Sequence, residues 1–187
     1  MLGFFPKQAV AIPEFTDEQW SITRVGKGKI STAVNSQFKA LVPKNTKASL
    51  GMLVASMTET YFVTTLEKSF VNTVCQLRKT NASIAVVRIT PHYNAAKAND
   101  YNYEAPLYSV VTAFYEDVNA RLAQFDAGLL STSTRRFLTP LVSLKLLDRI
   151  KHGDDNLRID GINTSSYPGL LWIQCSPDIR PTKPLVV

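Results

Sequence analysis

The sequence has few of the residues on which metal sites, disulfides and catalysis most often depend. Its 187 residues include two histidines and two cysteines. Cys75 and Cys175 belong to no Cys-x-x-Cys pair and have no histidine at metal-ligand spacing. No run of about 18 apolar residues lacks a charge, so we expect no membrane-spanning helix. The chain is therefore expected to be a soluble protein of a reducing compartment, without a disulfide scaffold, a metal site or a cofactor.

Catalytic and phosphate-binding motifs are also missing. Gly26–Lys29 lacks the GxxxxGK[ST] spacing of a phosphate-binding loop, and a flexible basic segment explains it better. His92 lies in a predicted loop and His152 at a predicted helix end, where structural roles are favoured. Asp154–Asp155 is typical of a solvated turn and lacks the further ligands of a calcium loop. We expect no catalytic residue, although an enzyme that uses His92 stays open as a third interpretation.

The chain carries an excess of positively charged residues. There are 21 Lys and Arg residues against 15 Asp and Glu residues, a net charge of +6, and 45% of the residues are hydrophobic, enough for a real core. The excess favours a polyanionic partner. Arg135 and Arg136 stand at the start of a predicted helix, where free amides could help to hold a phosphate, although the residues alone favour an exposed, charged first turn. Arg121 follows Asp117 by four residues, a spacing that also allows a local ion pair.

Hydrophobic spacing predicts a mainly α fold. Apolar residues recur at steps of three and four over 50–77, over 107–125 after Pro106, and over 137–150. The β-branched run Ser83–Ile89, followed by Pro91, predicts one strand. The expected fold class is four-helix-bundle-like, with a short β-strand region and extended N- and C-terminal segments.

The expected organisation is a single domain in three parts. Residues 1–46 form a basic N-terminal segment, residues 47–153 the helical bundle core, and residues 154–187 a polar, proline-rich C-terminal segment. Trp20 and Trp172 lie in the outer parts. They are expected either to contact other subunits or to fold back on the core.

Five short segments have the same order along the chain as motifs of a known family. Between about residues 58 and 172, the chain resembles the coat proteins of rod-shaped, tobamovirus-like plant RNA viruses. The matching segments are Glu59–Asn72, similar to a family helix; Ala85–Ile89, similar to the strand VTVRF; Leu107–Arg121, similar to the helix that carries AFDTRNR; Thr134–Arg136, similar to the TRR that opens the next helix; and Thr164–Trp172, similar to the closing SSxxxGLVW.

The resemblance implies a four-helix bundle that assembles helically around single-stranded RNA and holds phosphates with arginines at an inner radius. The RNA-binding residues that it implies are Arg121 and Arg136 first, with Arg135 and Asn119 beside them, and Lys68 near the place of a basic residue in the family.

The chain departs from the family at two of these positions. Phe137–Thr139 stands where the family continues with Val-Asp-Asp, so both carboxylates are missing and their part in RNA-site geometry and assembly is in doubt. Asn119 stands where an arginine is expected, which removes one phosphate partner.

The expected function is that of a structural viral coat protein that binds RNA phosphates without regard to sequence. It would form a large homo-oligomer found in the virion and the host cytoplasm. The alternative is another small basic RNA-binding or membrane-binding protein of the matrix type, which would reach anionic membranes through Lys27 and Lys29.

Overall fold

The described residues form mainly β-strands and one short helix, so the expectation of a mainly α, four-helix-bundle-like fold is wrong. A computed structural model describes residues 8–12, 17–25, 37–70, 72–94, 99–164 and 166–184. The described residues contain thirteen strands and one short helix. They are β1 Gln8–Ala11, β2 Glu18–Arg24, β3 Gln37–Val42, β4 Leu53–Ser56, β5 Thr60–Lys68, β6 Thr73–Lys79, β7 Ala82–Asn94, β8 Asn99–Asp117, α1 Ala120–Phe125, β9 Arg135–Pro140, β10 Arg149–His152, β11 Asp155–Asn163, β12 Leu170–Pro177 and β13 Lys183–Pro184.

The chain divides into two compact units, each with its own hydrophobic core. The first unit contains residues 1–81 and 164–170, and the second contains 82–163 and 171–187. Trp20 is fully buried in the first core and Trp172 is buried in the second unit. Of the two expectations for these tryptophans, folding back on a core is therefore the one observed.

Strands β1 to β6 close into a barrel in the first unit. The order around it is β1-β2-β3-β6-β5-β4, and β4 pairs with β1 to complete the ring. All these pairings are antiparallel. A closed barrel leaves no free sheet edge, so the backbone hydrogen bonds of its strands are satisfied within the unit.

The second unit repeats this topology. Its sheet runs β13-β8-β7-β10-β11-β12-β9, and a further β8–β9 pairing closes a ring of six strands. Numbered within each unit, the strands of both rings follow the order first, second, third, sixth, fifth, fourth. The described chain therefore holds the same six-strand arrangement twice.

Strand β5 lies where a helix over 50–77 was predicted. Four consecutive residues of β5, Tyr61–Thr64, are buried, and the register against β6 shifts between Val63 and Thr65. Such a bulge interrupts strict alternation of inward and outward side chains. The apolar spacing therefore imitated a helical stripe, although Val and Thr favour strands.

Strand β8 replaces the helix predicted over 107–125. It pairs with β7 on one side and with β9 on the other, and the described helix begins only at Ala120. The strand predicted over 83–89 is confirmed as part of β7, although β7 continues through Pro91 to Asn94. The helix predicted over 137–150 is replaced by β9, a connecting segment and the start of β10.

A buried group of charges joins three elements of the second unit. Arg149 donates to Asp178 at 2.8 Å and to Glu104 at 2.7 Å, and Arg180 also donates to Asp178. Burial by itself would raise the pKa of Asp178. Hydrogen bonds from Arg180 and Arg149 outweigh it and hold that pKa well below its usual range. These charges serve the fold, because each is neutralised by a neighbour.

Candidate nucleic-acid interface

Arg136 is the residue from which an RNA site was first expected, and it is held by carboxylates. It lies in β9, not at a helix start, opposite Glu116 of β8. Its guanidinium donates to Glu116 and to Asp126, the latter at 2.6 Å, and stacks 4.4 Å from the ring centre of Trp172. The Arg136 side chain is 16% exposed and that of Glu116 is 7% exposed. A phosphate at Arg136 would have to compete with two carboxylates that are already in place.

Arg135 is similarly engaged. It donates to Asp117 at 2.9 Å and to Asp155 at 2.7 Å, and its guanidinium lies 5.4 Å from the ring centre of Tyr115. Burial would lower the pKa of Arg135. Its hydrogen bonds to Asp155 and Asp117 more than compensate, and the pKa is raised. Both arginines of the predicted pair thus contribute to ion pairs within the second unit.

Asn119 is a helix N-cap, a role that its residue type could have indicated. Its side-chain oxygen accepts a hydrogen bond of 2.9 Å from the backbone N–H of Leu122, so that it caps helix α1. Asparagine is among the preferred N-cap residues. Arg121 lies in the first turn of that helix, and its side chain is outside the described part of the structure.

Lys68 differs from the other predicted residues, since it belongs to the first unit and is exposed. It is the last residue of β5 and pairs with Thr73 of β6. The five predicted residues are divided between the two units. Arg121, Arg135, Arg136 and Asn119 belong to the second unit, and Lys68 to the first.

His152 lies in an apolar and cationic setting. Its ring is 4.5 Å from that of Tyr115 and 5.7 Å from that of Phe137, and Nδ1 is 3.3 Å from Nη1 of Arg135. Burial first, and the charge of Arg135 second, lower the pKa of His152, while Asp155 acts in the opposite direction. The side chain of His92, the other histidine, lies outside the described part of the chain, as do residues 26–29.

The comparisons with known proteins give no family. No protein-family model matches this chain, and no curated protein matches it. Among the described residues, no helix has the length and apolar character that a membrane span requires. The same residues contain no group of three or more His, Cys, Asp or Glu side chains that could hold a metal ion.

The two cysteines are buried and free, one in each unit. Burial raises the pKa of the Cys75 thiol to about 12 and raises that of Cys175 as well. Thiols in this state are poor nucleophiles, because the thiolate is the reactive form.

The charge excess is unequally divided between the units. The sequence of the first unit has ten Lys and Arg residues against five Asp and Glu residues, and that of the second has eleven against ten. In the second unit, several of the basic residues pair with carboxylates, and most of the charge cancels. In the first unit, Lys39, Lys44, Lys47 and Lys68 are all exposed. The first unit is therefore the more attractive to a polyanion.

Exposed lysines and an exposed aromatic ring lie together at one end of the first barrel. Phe70, in the turn between β5 and β6, is 91% exposed. Nζ of Lys44 lies 5.2 Å from the centre of its ring, and Lys68 precedes it by two residues. Of these three residues, the resemblance indicated Lys68. Phe70 was missed because its spacing assigned it to the buried face of a predicted helix.

Proposed function

We propose that the protein is a non-enzymatic, self-associating protein that coats single-stranded RNA through phosphate contacts made without regard to base sequence. The observation that carries the proposal is the charge excess of the first unit, with its exposed lysines. Cations that neutralise phosphates release counterions, which drives binding to any sequence. The proposal keeps the function expected of a viral coat protein, found in virions and the host cytoplasm, but not the helical-bundle fold.

We propose that RNA binds to exposed lysines of the first unit and not to Arg135 and Arg136 of the second. Arg135 and Arg136 are compensated by carboxylates, whereas Lys44 and Lys68 are exposed, and no described ion pair engages either. A phosphate that approaches an uncompensated lysine displaces only water and counterions. Phosphate contacts are therefore less costly on the first unit.

Self-association is supported by apolar side chains exposed on the second unit. Leu146 and Leu147 precede β10, and Ile179 follows β12, with 93% of its surface exposed. The two segments are joined by a hydrogen bond of 2.8 Å from Arg180 to the carbonyl of Leu147. Apolar side chains that share one surface are typical of protein contacts.

The surroundings of His152 favour a binding protein over a serine or cysteine hydrolase. Chymotrypsin-type β-barrels can carry a Ser-His-Asp triad, in which the histidine lies within hydrogen-bonding distance of a nucleophile. The contacts described for His152 are with Arg135, Tyr115 and Phe137, and Asp155 is its partner across the β10–β11 pair; none of these is a serine or a cysteine. This contrast supports a binding protein.

The test combines an affinity measurement with microscopy. A labelled oligo-uridylate is titrated with the full chain, and the dissociation constant is followed from about 50 mM to about 200 mM salt, where each phosphate contact on a single strand contributes roughly −0.7 to the slope of log K against log salt. We expect binding to several unrelated sequences with equal slopes. Negative-stain images with long RNA are expected to contain assemblies whose length follows that of the RNA. Absence of RNA binding at the lowest salt would overturn the proposal, and binding without assemblies would overturn its coat-forming part.

A further inference from the structure

We propose that Phe70 is a base-stacking platform for single-stranded nucleic acid, with Lys44 and Lys68 as its phosphate-binding partners. This inference rests on the proposed function and assigns it a site. The occupant follows from the chemistry of the three side chains. An aromatic ring offers a stacking surface to any base, and lysines attract the backbone on either side of it.

Hydrogen bonds join Ser69 and Asn72, on either side of Phe70 in the sequence. The backbone N–H of Ser69 donates to the carbonyl of Asn72 at 2.8 Å, and the Ser69 hydroxyl donates to the same oxygen at 2.6 Å. The backbone N–H of Asn72 donates to the Ser69 hydroxyl at 3.1 Å. These bonds restrain the backbone of Ser69, which directly precedes Phe70, and so reduce the conformational entropy that binding at Phe70 costs.

Strand register brings the two lysines to the same end of the barrel. Thr73, at the start of β6, pairs with Lys68 of β5 on one side and with Val42 of β3 on the other. Lys44 follows Val42 by two residues, and Nζ reaches the face of Phe70. The ring and both cations are therefore neighbours because of the fold, although Lys44 and Phe70 are 26 positions apart.

The contact between Lys44 and Phe70 is one that a base can replace. An exposed cation–π pair contributes only about 0.5–1 kcal/mol. A base that stacks on the ring would displace Lys44 from its face and bring a phosphate within its reach. Glu67 is also exposed next to Lys68, so the local charge is two lysines against one carboxylate and still favours an anion.

A nucleic acid suits this site better than a lipid surface does. Phe70 follows Ser69 and is separated by Val71 from Asn72, and both Ser69 and Asn72 are exposed and polar. Insertion into a bilayer would bury these groups beside the ring, at a cost, whereas stacking leaves them in water. Binding to lipid vesicles is therefore measured beside binding to RNA in the experiment below.

The experiment compares Phe70→Ala, Phe70→Leu and Phe70→Trp with a matched control, Met57→Ala. Met57 is on the same barrel and 90% exposed. Dissociation constants are measured for labelled oligo-uridylate, for a duplex RNA of equal length and for vesicles of anionic phospholipid. Phe70→Ala and Phe70→Leu should weaken single-strand binding roughly 5-fold to 150-fold. Phe70→Trp and Met57→Ala should not weaken it, and duplex binding should not change, because paired bases are already stacked.

The contribution of Lys44 and Lys68 is measured separately, from the salt dependence of RNA binding. The double variant Lys44→Gln, Lys68→Gln should make the salt slope for single-stranded RNA less steep by about 1.4, that is about 0.7 for each lost phosphate contact. Phe70→Ala should leave that slope unchanged. Lys145→Gln, which removes an exposed lysine of the second unit, should change neither affinity nor slope.

The outcomes distinguish this site from the proposed function. If the unaltered chain binds RNA and Phe70→Ala binds it equally well, the stacking site is overturned and the function stands. A loss of vesicle binding without a loss of RNA binding would overturn the site in favour of a lipid surface. If the unaltered chain binds no RNA, both proposals fail. Circular dichroism of each variant checks that the barrel is intact, as expected for changes at exposed side chains.

Discussion

At the scale of single residues, two glycines of the first unit allow a close approach of backbone to backbone. Gly51 has φ of +77° and Gly169 has φ of +83°, a region that glycine adopts without strain. A Cβ atom on Gly51 would lie 2.5 Å from Cα of Gly169. The approach ties the segment that precedes β12 to the segment that precedes β4.

Gly51→Ala should therefore lower the free energy of unfolding by about 2–4 kcal/mol, from the left-handed backbone and the clash together. Gly153→Ala is the matched control, since Gly153 has φ of +59° but nothing within 4 Å of an added Cβ. It should cost only about 1 kcal/mol. Urea unfolding of both variants measures the difference, and equal losses would show that the close approach contributes nothing.

Arg136 gives a second prediction at this scale. Arg136→Gln would leave Glu116, which is nearly buried, without its cation, and should lower the free energy of unfolding by about 2–3 kcal/mol. Lys79→Gln removes the partner of the more exposed Glu59 and should cost less than about 1 kcal/mol. If Arg136→Gln keeps full stability but loses RNA binding, the arginine is the RNA contact that the family resemblance implied.

At the scale of elements, β9 and β10 carry a pH-sensitive contact. His152 of β10 lies beside Phe137 and Arg135 of β9 and Tyr115 of β8, and its pKa is lowered from the usual 6.5. In the window just below pH 6.5, the unfolded chain therefore binds more protons at this residue than the folded chain does. Stability should fall as the pH falls through that window.

His152→Phe should remove the loss of stability just below pH 6.5. Acid unfolding at lower pH should persist, because the pKa values of Asp178 and Glu104 are lowered in the folded state and their protonation near pH 4 and below favours unfolding. Thermal unfolding at half-unit pH intervals checks both. An unchanged profile in the variant would mean that His152 titrates alike in both states.

The strands also show which parts of the fold could be predicted from the sequence and which could not. The strand at 83–89 was predictable, since the segment is short, rich in β-branched residues and followed by Pro91. In β5 and β8, bulged registers and neighbouring strands on both sides buried residues at spacings that imitate a helix. The β-branched content of Val110–Thr112 and Val63–Thr65 favoured strands and was outweighed by periodicity.

The candidate site was predictable only in part, for a related reason. Lys68 was indicated only by the family resemblance, and the positive charge by the composition. The pairing of Arg135 and Arg136 with acids distant in sequence depends on the β8–β9 register, which composition does not contain. The repeated strand order could not be predicted either, because the sequence contains no evident internal repeat.

At the scale of the whole molecule, assembly is expected to depend on the apolar surface of the second unit. Ile179→Lys places a charge on the most exposed of its apolar side chains and should abolish concentration-dependent assembly without unfolding the chain. The matched control is Val110→Lys, at another exposed apolar residue of the same unit. Sedimentation velocity over a range of concentrations compares them, and assembly that persists in Ile179→Lys would place the contact elsewhere.

We propose that RNA contacts the first unit, although the family resemblance points mainly to the second. The most direct test is photo-crosslinking of single-stranded RNA to the full chain, with the crosslinked peptides located by mass spectrometry. We expect crosslinks in peptides from residues 37–81, with the strongest around Phe70. Crosslinks confined to peptides from residues 117–136 would contradict this proposal and return the RNA site to Arg121 and Arg136.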